Sequence, residues 1–269
     1  MPTASSLSLE KNIKALFVGP KHSGKTVAAC SFLTKGSQRR LRVLDGDGRI
    51  RGILGAPWIE RDRIDYDYYA PRIAGNTTTF FERVNQDLEA MLVEINSGKC
   101  MYETYVGDSL TAFCRNLVLD AIPLTHASNS GGRDKGRKIG TMNMAGPSDY
   151  GFESTGADAY LAFLRSIPLN VIVTAHVVDK FGKVNPDDPY SETIVVGEKL
   201  SLRDKIAANS SIYFDHIFRF DRKMVGGQEK FFVEFISDIA CTSYSNLKPG
   251  KFDITGVNFY EFLMDKVKG

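Results

Sequence analysis

The sequence predicts an α/β fold with a mainly parallel central sheet that is flanked by helices. Apolar runs of strand length alternate with segments of helical periodicity along the chain, which is typical of parallel sheets with crossover helices. A glycine-rich loop joins the first apolar run to the first helical segment. The chain has 269 residues, of which 43% are hydrophobic, enough for one sizeable core. We therefore expect a single domain across residues 1–269, with residues 1–12 as a flexible N-terminal segment.

The apolar runs predict four strands, and the periodic segments between them predict three helices. The strands are expected at residues 13–18, 41–44, 105–107 and 171–174, and the helices at residues 25–33, 78–96 and 154–165. Near the C-terminus, two segments of alternating apolar residues flank a Gly-Gly pair. This pattern predicts an antiparallel hairpin that extends the sheet.

Residues 57–75, 125–150 and 179–201 do not fit the regular pattern. They are rich in charge, glycine or proline, and we expect irregular connections there. Loops of this length inside a compact domain are usually functional or disordered. The second segment contains four cations within six residues, Arg133, Lys135, Arg137 and Lys138.

Composition restricts the classes of function. The net charge is only +2, so any site for a polyanion must be a local basic cluster. The four cysteines are far apart in the sequence and follow no signal peptide, which is typical of reduced thiols in a cytoplasmic protein. No apolar run approaches the roughly 20 residues that a membrane helix needs. We expect a cytoplasmic chain without a membrane span.

The glycine-rich loop predicts a phosphate site. Residues 19–26 match the pattern G-x-x-x-x-G-K-[ST] between a strand and a helix. Small residues let backbone N–H groups and the positive end of the next helix face an anion. An ordinary strand-to-helix turn is the other interpretation, which the complete pattern and its flanks disfavour. The predicted nucleotide-binding residues are Gly19, Pro20, Lys21, His22, Ser23, Gly24, Lys25 and Thr26.

Within this loop, Lys25 is expected to reach the β- and γ-phosphates, and the Thr26 hydroxyl to hold Mg²⁺. A second metal ligand should be an acid that ends a neighbouring apolar strand. Asp108 follows Tyr-Val-Gly and meets this requirement, although an aspartate capping the next helix would look the same. The residue after it is Ser109, where many ATP-driven motors carry a water-activating glutamate.

The base that activates water must therefore come from another strand. Asp45 and Asp47 follow the apolar run at residues 41–44, and ligands of open α/β sheets bind at the carboxyl ends of the strands. We expect Asp47 to be the base, with Asp45 as the next candidate. Both aspartates could instead cap a glycine turn. His176 follows another apolar strand, and it could sense the γ-phosphate or be an ordinary core or surface histidine.

These elements, in this order, resemble the RecA-like recombination ATPases. "GPKHSGKT" resembles their phosphate loop, "VLDGD" the strand that ends in their catalytic glutamate, "VGDSLTAF" their metal-binding strand, and "VIVTAH" the strand that couples nucleotide to DNA loops. The likeness is strongest to short, RecA-core-only phage ATPases tied to single-strand annealing, through Asp149-Tyr150-Gly151, residues 200–205 and Phe214-Asp215. It covers roughly residues 14–235. One departure is Asp47, where the family has glutamate.

The resemblance implies an ATP- and Mg²⁺-dependent ATPase that binds single-stranded DNA and promotes annealing or recombination. It assigns DNA binding to residues 125–150 and 179–201, and it places Arg203 and Lys205 at the nucleotide of a neighbouring subunit. The implied partners are a homo-oligomer, as a ring or filament, and a single-stranded-DNA-binding protein in the cytoplasm of a bacterial host. The shorter side chain of Asp47 predicts slow hydrolysis.

Other functions remain open on the residues alone. A nucleotide or metabolite kinase could use the same phosphate loop with "GGRDKGRK" as a lid, and a non-catalytic, nucleotide-gated assembly or replication factor could use it without turnover. A solvated charge run is the other interpretation of the basic cluster. No contact to a nucleotide base can be read from the sequence.

Overall fold

The computed structural model describes residues 12–68, 78–128, 138–139, 142–185, 190–237, 239–242 and 247–268, with the backbone alone at Leu54 and within 125–143. The helices are α1 (Lys25–Cys30), α2 (Phe80–Asn96), α3 (Leu110–Ser128), α4 (Pro147–Ser166), α5 (Asp204–Ser210) and α6 (Phe259–Lys268). The strands are β1 (Lys14–Gly19), β2 (Arg40–Asp45), β3 (Ile64–Tyr68), β4 (Tyr102–Asp108), β5 (Lys138–Ile139), β6 (Met142–Asn143), β7 (Asn170–Lys183), β8 (Thr193–Leu200), β9 (His216–Val225), β10 (Gln228–Glu234), β11 (Cys241–Thr242) and β12 (Lys251–Asp253). Three short 3-10 turns cover Ile50–Gly55, Arg61–Arg63 and Ser211–Tyr213.

The main sheet has the strand order β12-β10-β9-β1-β7-β4-β2-β3. All neighbours from β9 to β3 are parallel, whereas β10 runs antiparallel to β9 and to β12. The predicted C-terminal hairpin is therefore present as β9–β10. Its turn uses Gly226 and Gly227 at positive φ, as the Gly-Gly pair predicted.

Strand β1 lies in the middle of the sheet, and helices cover both of its faces. Ala15 and Phe17 pack into one apolar cluster and Leu16 and Val18 into the other, because successive side chains of a strand point to opposite faces. All four are fully buried. A strand buried on both faces is the expected element in a doubly covered parallel sheet, and it fixes the loop at its carboxyl end.

All three segments predicted to be irregular contain strands, and residues 125–150 include the short strands β5 and β6. Residues 64–68 form β3, which pairs parallel to β2 at the sheet edge. Strand β7 does not end near residue 174 or at His176 but continues to Lys183 and pairs antiparallel with β8. The prediction of a loop at 179–201 was thus wrong for most of that segment, because β-branched residues at 193–196 and the facing end of β7 form a ladder.

The third segment, residues 125–150, begins and ends in helices. Helix α3 extends to Ser128, and α4 begins at Pro147 rather than at residue 154. Proline fits the first turn of a helix because its missing N–H would have no partner there. Helix α3 itself was not predicted, and α1 ends at Cys30, three residues earlier than expected. None of the described helices is long and apolar enough to cross a bilayer.

Candidate functional site

Eight of the predicted site residues line one cavity at the carboxyl edge of the sheet. The cavity has a volume of about 300 Å³, and its lining includes Lys25, Thr26, Asp47, Asp108 and His176. The strand order explains the convergence, since β1, β7, β4 and β2 are neighbours. In register, Gly19 lies beside His176, and Asp45 beside Asp108. Loops that follow these strands therefore share one edge.

The phosphate loop needs glycine at two positions for different reasons. A Cβ atom on Gly19 would lie 2.2 Å from the carbonyl oxygen of Phe220, so the neighbouring strand leaves no room for a side chain. Gly24 has a φ of +88°, and a Cβ atom there would be 3.1 Å from the ring of Phe231. Left-handed backbone favours glycine. The absence of side chains at both positions lets the loop pack closely against β9 and β10.

Lys25 lies within the loop and is almost fully buried. Its Nζ donates hydrogen bonds to the carbonyl oxygens of Gly19 (2.9 Å) and Pro20 (2.8 Å) and to Ser23 Oγ (3.3 Å). Burial lowers the pKa of Lys25 to about 8, although the carboxylates of Asp108 and Asp47 favour the charged ammonium. Lys25 therefore remains mainly cationic at neutral pH and supplies a charge for an anion.

Asp108 joins the phosphate loop to the neighbouring strands. Thr26 Oγ1 donates to Asp108 Oδ2 at 2.7 Å, and Thr174 Oγ1 donates to Asp108 Oδ1. Burial raises the pKa of Asp108, and these two hydrogen bonds oppose the rise. The peptide bond between Asp108 and Ser109 is cis.

The donor set of Thr26 and Asp108 fits a magnesium ion. A hydroxyl and a carboxylate on adjoining elements are hard oxygen ligands, and Mg²⁺ commonly uses one or two protein ligands together with phosphate oxygens and water. In the described part of the chain, no group of three or more His, Cys, Asp or Glu residues forms a self-sufficient metal site. The arrangement is therefore suited to a metal that arrives with a phosphate ligand.

Asp47 is held between Ser109 and His176. Ser109 Oγ donates to Asp47 Oδ2 at 2.9 Å, and His176 Nε2 lies 3.2 Å from the same oxygen. Burial would raise the pKa of Asp47, but the hydrogen bonds from His176 and Ser109 outweigh it and hold the pKa below its usual range. Asp47 is thus an ionised carboxylate that faces the cavity.

Asp45 has a structural role and is not available as the second candidate base. Its side chain is 1% exposed, and its two oxygens accept hydrogen bonds from the backbone N–H groups of Arg49 (3.1 Å) and Ile50 (3.0 Å). These contacts start the 3-10 turn after β2. The turn-capping interpretation is therefore right for Asp45, whereas Asp47 makes no such backbone contact among the hydrogen bonds of the described residues.

Sequence reasoning missed the contribution of the β9–β10 hairpin. Arg222, Glu229 and Phe231 line the same cavity as Lys25 and Asp47. Arg222 Nη1 donates to Glu229 Oε1 at 2.9 Å. The sequence pattern predicts the hairpin but not its place beside β1. The hairpin reaches the cavity because β9 is the neighbour of β1 in the sheet, and only the structure shows this strand order.

An apolar cavity of about 390 Å³ adjoins the first one. The two cavities share Gly24, Val27, Gly52 and Phe231. Trp58, Ile254, Val257 and Phe259 complete most of the apolar wall. A flat aromatic group attached to a phosphate chain could therefore lie here while its phosphates occupy the loop.

The residues predicted to contact DNA or a second subunit lie away from this cavity or outside the described residues. Arg133, Lys135 and Arg137 are not described, and Lys138 begins β5, for which only the backbone is described. The Arg203 guanidinium lies 3.7 Å from the centroid of the Tyr150 ring, and Lys205 is exposed on α5. The DNA and cross-subunit roles of these residues stay predictions.

No protein-family profile and no curated protein match this chain. Among solved structures, it is similar to a KaiC-like protein from the hyperthermophilic archaeon Pyrococcus horikoshii. The TM-score is 0.50 at 10% sequence identity, and the match covers 90% of this chain and 85% of that one. The predicted RecA-like α/β fold is thereby confirmed. At this identity the likeness concerns the fold alone.

Proposed function

We propose that this chain is a Mg²⁺-dependent ATPase that hydrolyses ATP slowly and binds single-stranded DNA. The hydrogen bond between Thr26 and Asp108 is the observation that carries the proposal. It joins two residues 82 positions apart in the sequence and brings together the hydroxyl and carboxylate that a P-loop site requires. Lys25, buried among loop carbonyls, supplies the positive charge beside them.

The charged and hydroxyl side chains around Asp108 have defined parts in this function. Lys25 exchanges its carbonyl partners for phosphate oxygens. Thr26 and Asp108 would hold Mg²⁺, which supplies positive charge to the phosphate oxygens when it is bound. Asp47 orients a water molecule and accepts its proton, while Ser109 and His176 fix the position of the carboxylate. A carboxylate with a lowered pKa is a weak base, so turnover is slow.

The apolar cavity beside the loop is suited to the nucleotide base. Phe231 and Val27 line both cavities, so the two cavities adjoin and one ligand can occupy both. Trp58 and Phe231 offer aromatic surface, and planar rings stack favourably against such side chains. We therefore assign the base to the apolar cavity and the phosphates to the loop.

The hairpin of β7 and β8 supports the DNA part of the proposal. It continues from His176, which contacts Asp47, and extends from the sheet with Phe181 62% exposed. Lys180 and Lys183 are also exposed on it. Exposed aromatic rings and nearby cations are the groups that bind the bases and phosphates of single strands. Binding or hydrolysis of the nucleotide at Asp47 can therefore affect the hairpin through the side chain of His176.

Calorimetric titration with ATP·Mg²⁺ and an ATPase assay with and without oligo(dT) test the proposal. Lys25→Ala should abolish nucleotide binding, because the phosphate charge loses its partner, and the exposed Lys35→Ala is the matched control. Oligo(dT) should stimulate turnover of the wild-type protein. Absence of ATP binding at millimolar nucleotide would refute the nucleotide site, and absence of DNA binding in every nucleotide state would refute the DNA part. Phosphate transfer to a small acceptor instead of water would favour the kinase alternative.

A further inference from the structure

A second polar cavity lies beside the Asp47–His176 pair. It has a volume of about 570 Å³ and is bounded by the loop after β2, the first half of α3 and the start of the β7–β8 hairpin. Asp47, Arg49 and His176 line both this cavity and the cavity at the phosphate loop. They form the wall that the two cavities share. The proposed roles of the P-loop residues leave this second cavity without a function.

The second cavity has an excess of positive charge. Lys21, Arg49 and Arg115 line it, and Asp47 is the one carboxylate in its lining. Within the described ranges, none of the three cations forms an ion pair in direct contact, although the Asp47 carboxylate attracts Arg49 at longer range. The three cations outnumber the single carboxylate, and an anion in the cavity would offset the excess positive charge.

A buried amide provides independent evidence for an anionic ligand. Asn116 is only 4% exposed and lines the cavity from α3. Its Nδ2 has no hydrogen-bond acceptor among the residues that the structure describes. A buried donor without an acceptor costs about 1–3 kcal/mol. An anion oxygen would satisfy such a donor.

We propose that this second cavity binds the phosphate group of an organic phosphate. Tyr68, Leu119, Val177 and Val178 form apolar parts of its wall, which suits an organic group attached to the phosphate. The volume is in the range of small-molecule sites. The phosphate could belong to a free small molecule or to a nucleic-acid strand, and the recognition chemistry is the same. A small-molecule ligand goes beyond the proposed function, whereas a strand phosphate rests on its DNA-binding part and adds a phosphate site to it.

The shared wall predicts coupling between the two cavities. An anion beside Arg49 and His176 changes the electrostatic environment of Asp47. Asp47 also lines the cavity at the phosphate loop. Binding in one cavity therefore alters affinity in the other, and the effect must be reciprocal.

Binding measurements on the Lys25→Ala protein test this site with the phosphate loop disabled. The probes are phenyl phosphate and the oligonucleotide dT8, each titrated by calorimetry at two salt concentrations. Arg115→Ala removes a cation that lines the second cavity but not the first, and the exposed Arg61→Ala is the matched control. We expect Arg115→Ala to weaken binding at least tenfold and Arg61→Ala to leave it unchanged. Asn116→Asp, which keeps the side-chain shape but adds a negative charge, should weaken it as well, with circular dichroism as the check on folding.

The two probes distinguish the source of the phosphate. Arg115-dependent binding of phenyl phosphate supports a small-molecule ligand, and Arg115-dependent binding of dT8 alone supports a strand phosphate. If neither probe binds, or if binding survives both substitutions, the inference is wrong. ATP binding by the wild-type protein is measured separately, so the failure of one site is not mistaken for the failure of the other.

Discussion

The phosphate loop and the β7–β8 hairpin begin side by side and have opposite character. Gly19 and His176 are register partners on β1 and β7. Beyond Gly19 the chain folds into a compact loop in which Ser23 and Lys25 are buried. Beyond His176 the chain extends into a hairpin with exposed apolar side chains, among them Phe181 and Val195.

The difference lies in what holds each region in place. The loop is held by contacts to its own carbonyls and by Asp108, and such preorganised groups lose little entropy when a ligand binds. The hairpin is held by its own ladder and, at its base, by a bidentate ion pair between Arg219 on β9 and Glu198 on β8, at 2.6 and 2.7 Å. We infer that the first region is built for a small, fixed ligand and the second for an extended partner.

Among the substitutions that test this difference between the two regions, Asp47→Asn should have the largest effect, on the rate of ATP hydrolysis. Asparagine can still accept a hydrogen bond from Ser109 but cannot take a proton from water, so kcat should fall about 100-fold or more while ATP binding is retained. Steady-state ATPase rates and calorimetric affinities measure the two quantities. Turnover that survives the substitution would move the base elsewhere.

Asp45→Asn is the control for that experiment. Asp45 accepts two backbone N–H bonds in a buried site, so the substitution should lower the free energy of unfolding by about 1–3 kcal/mol. A selective loss of turnover in Asp45→Asn, without a loss of stability, would contradict the assignment of roles to the two aspartates.

Glycine substitutions compare the rigidity of the two regions directly. In Gly19→Ala the new Cβ would meet the backbone carbonyl of Phe220 at 2.2 Å, whereas in Gly182→Ala it would meet a methyl group of Val196 at 2.9 Å. A backbone strand cannot move aside, but an exposed valine can rotate. We expect Gly19→Ala to cost about 2–3 kcal/mol and Gly182→Ala about 1 kcal/mol or less, measured by urea unfolding. Equal losses would show that the hairpin is packed as tightly as the loop.

The sequence predicts the loop well because its evidence is local. Eight consecutive residues carry the pattern, and the flanking strand and helix follow from short-range periodicity. Asp108 also follows from a strand end, whereas His176 lies within β7, which continues past it to Lys183. The choice between Asp45 and Asp47 cannot be made from the sequence, since both stand at the end of the same strand. Only the fold shows that Asp45 is buried and caps a turn. Arg222 and Glu229 depend on a strand order that no local pattern contains.

The strands missed at β3 and β8 have a common physical cause. Strand β3 is a short edge strand in which aspartates alternate with Ile64 and two exposed tyrosines, and Asp65 and Asp67 bind Arg40 and Arg42 of β2. Ile64 is its one buried residue, so the strand carries little of the apolar burial that marks a strand in a sequence. Strand β8 contains an apolar run but extends away from the core, so its sequence lacks the buried face that normally marks a strand.

Phe181→Ala should have the smallest effect on the folded protein and a selective effect on DNA. The ring is mostly exposed, so its removal should change the free energy of unfolding by no more than about 0.5 kcal/mol and leave ATP affinity unchanged. Loss of one base-stacking ring should weaken oligo(dT) binding about tenfold, measured by fluorescence anisotropy with an ATP analogue present. Tyr66→Ala removes a similarly exposed ring on β3, 56% exposed, and should leave DNA affinity intact. If both substitutions weaken binding equally, or if neither does, the hairpin is not the surface that contacts the strand.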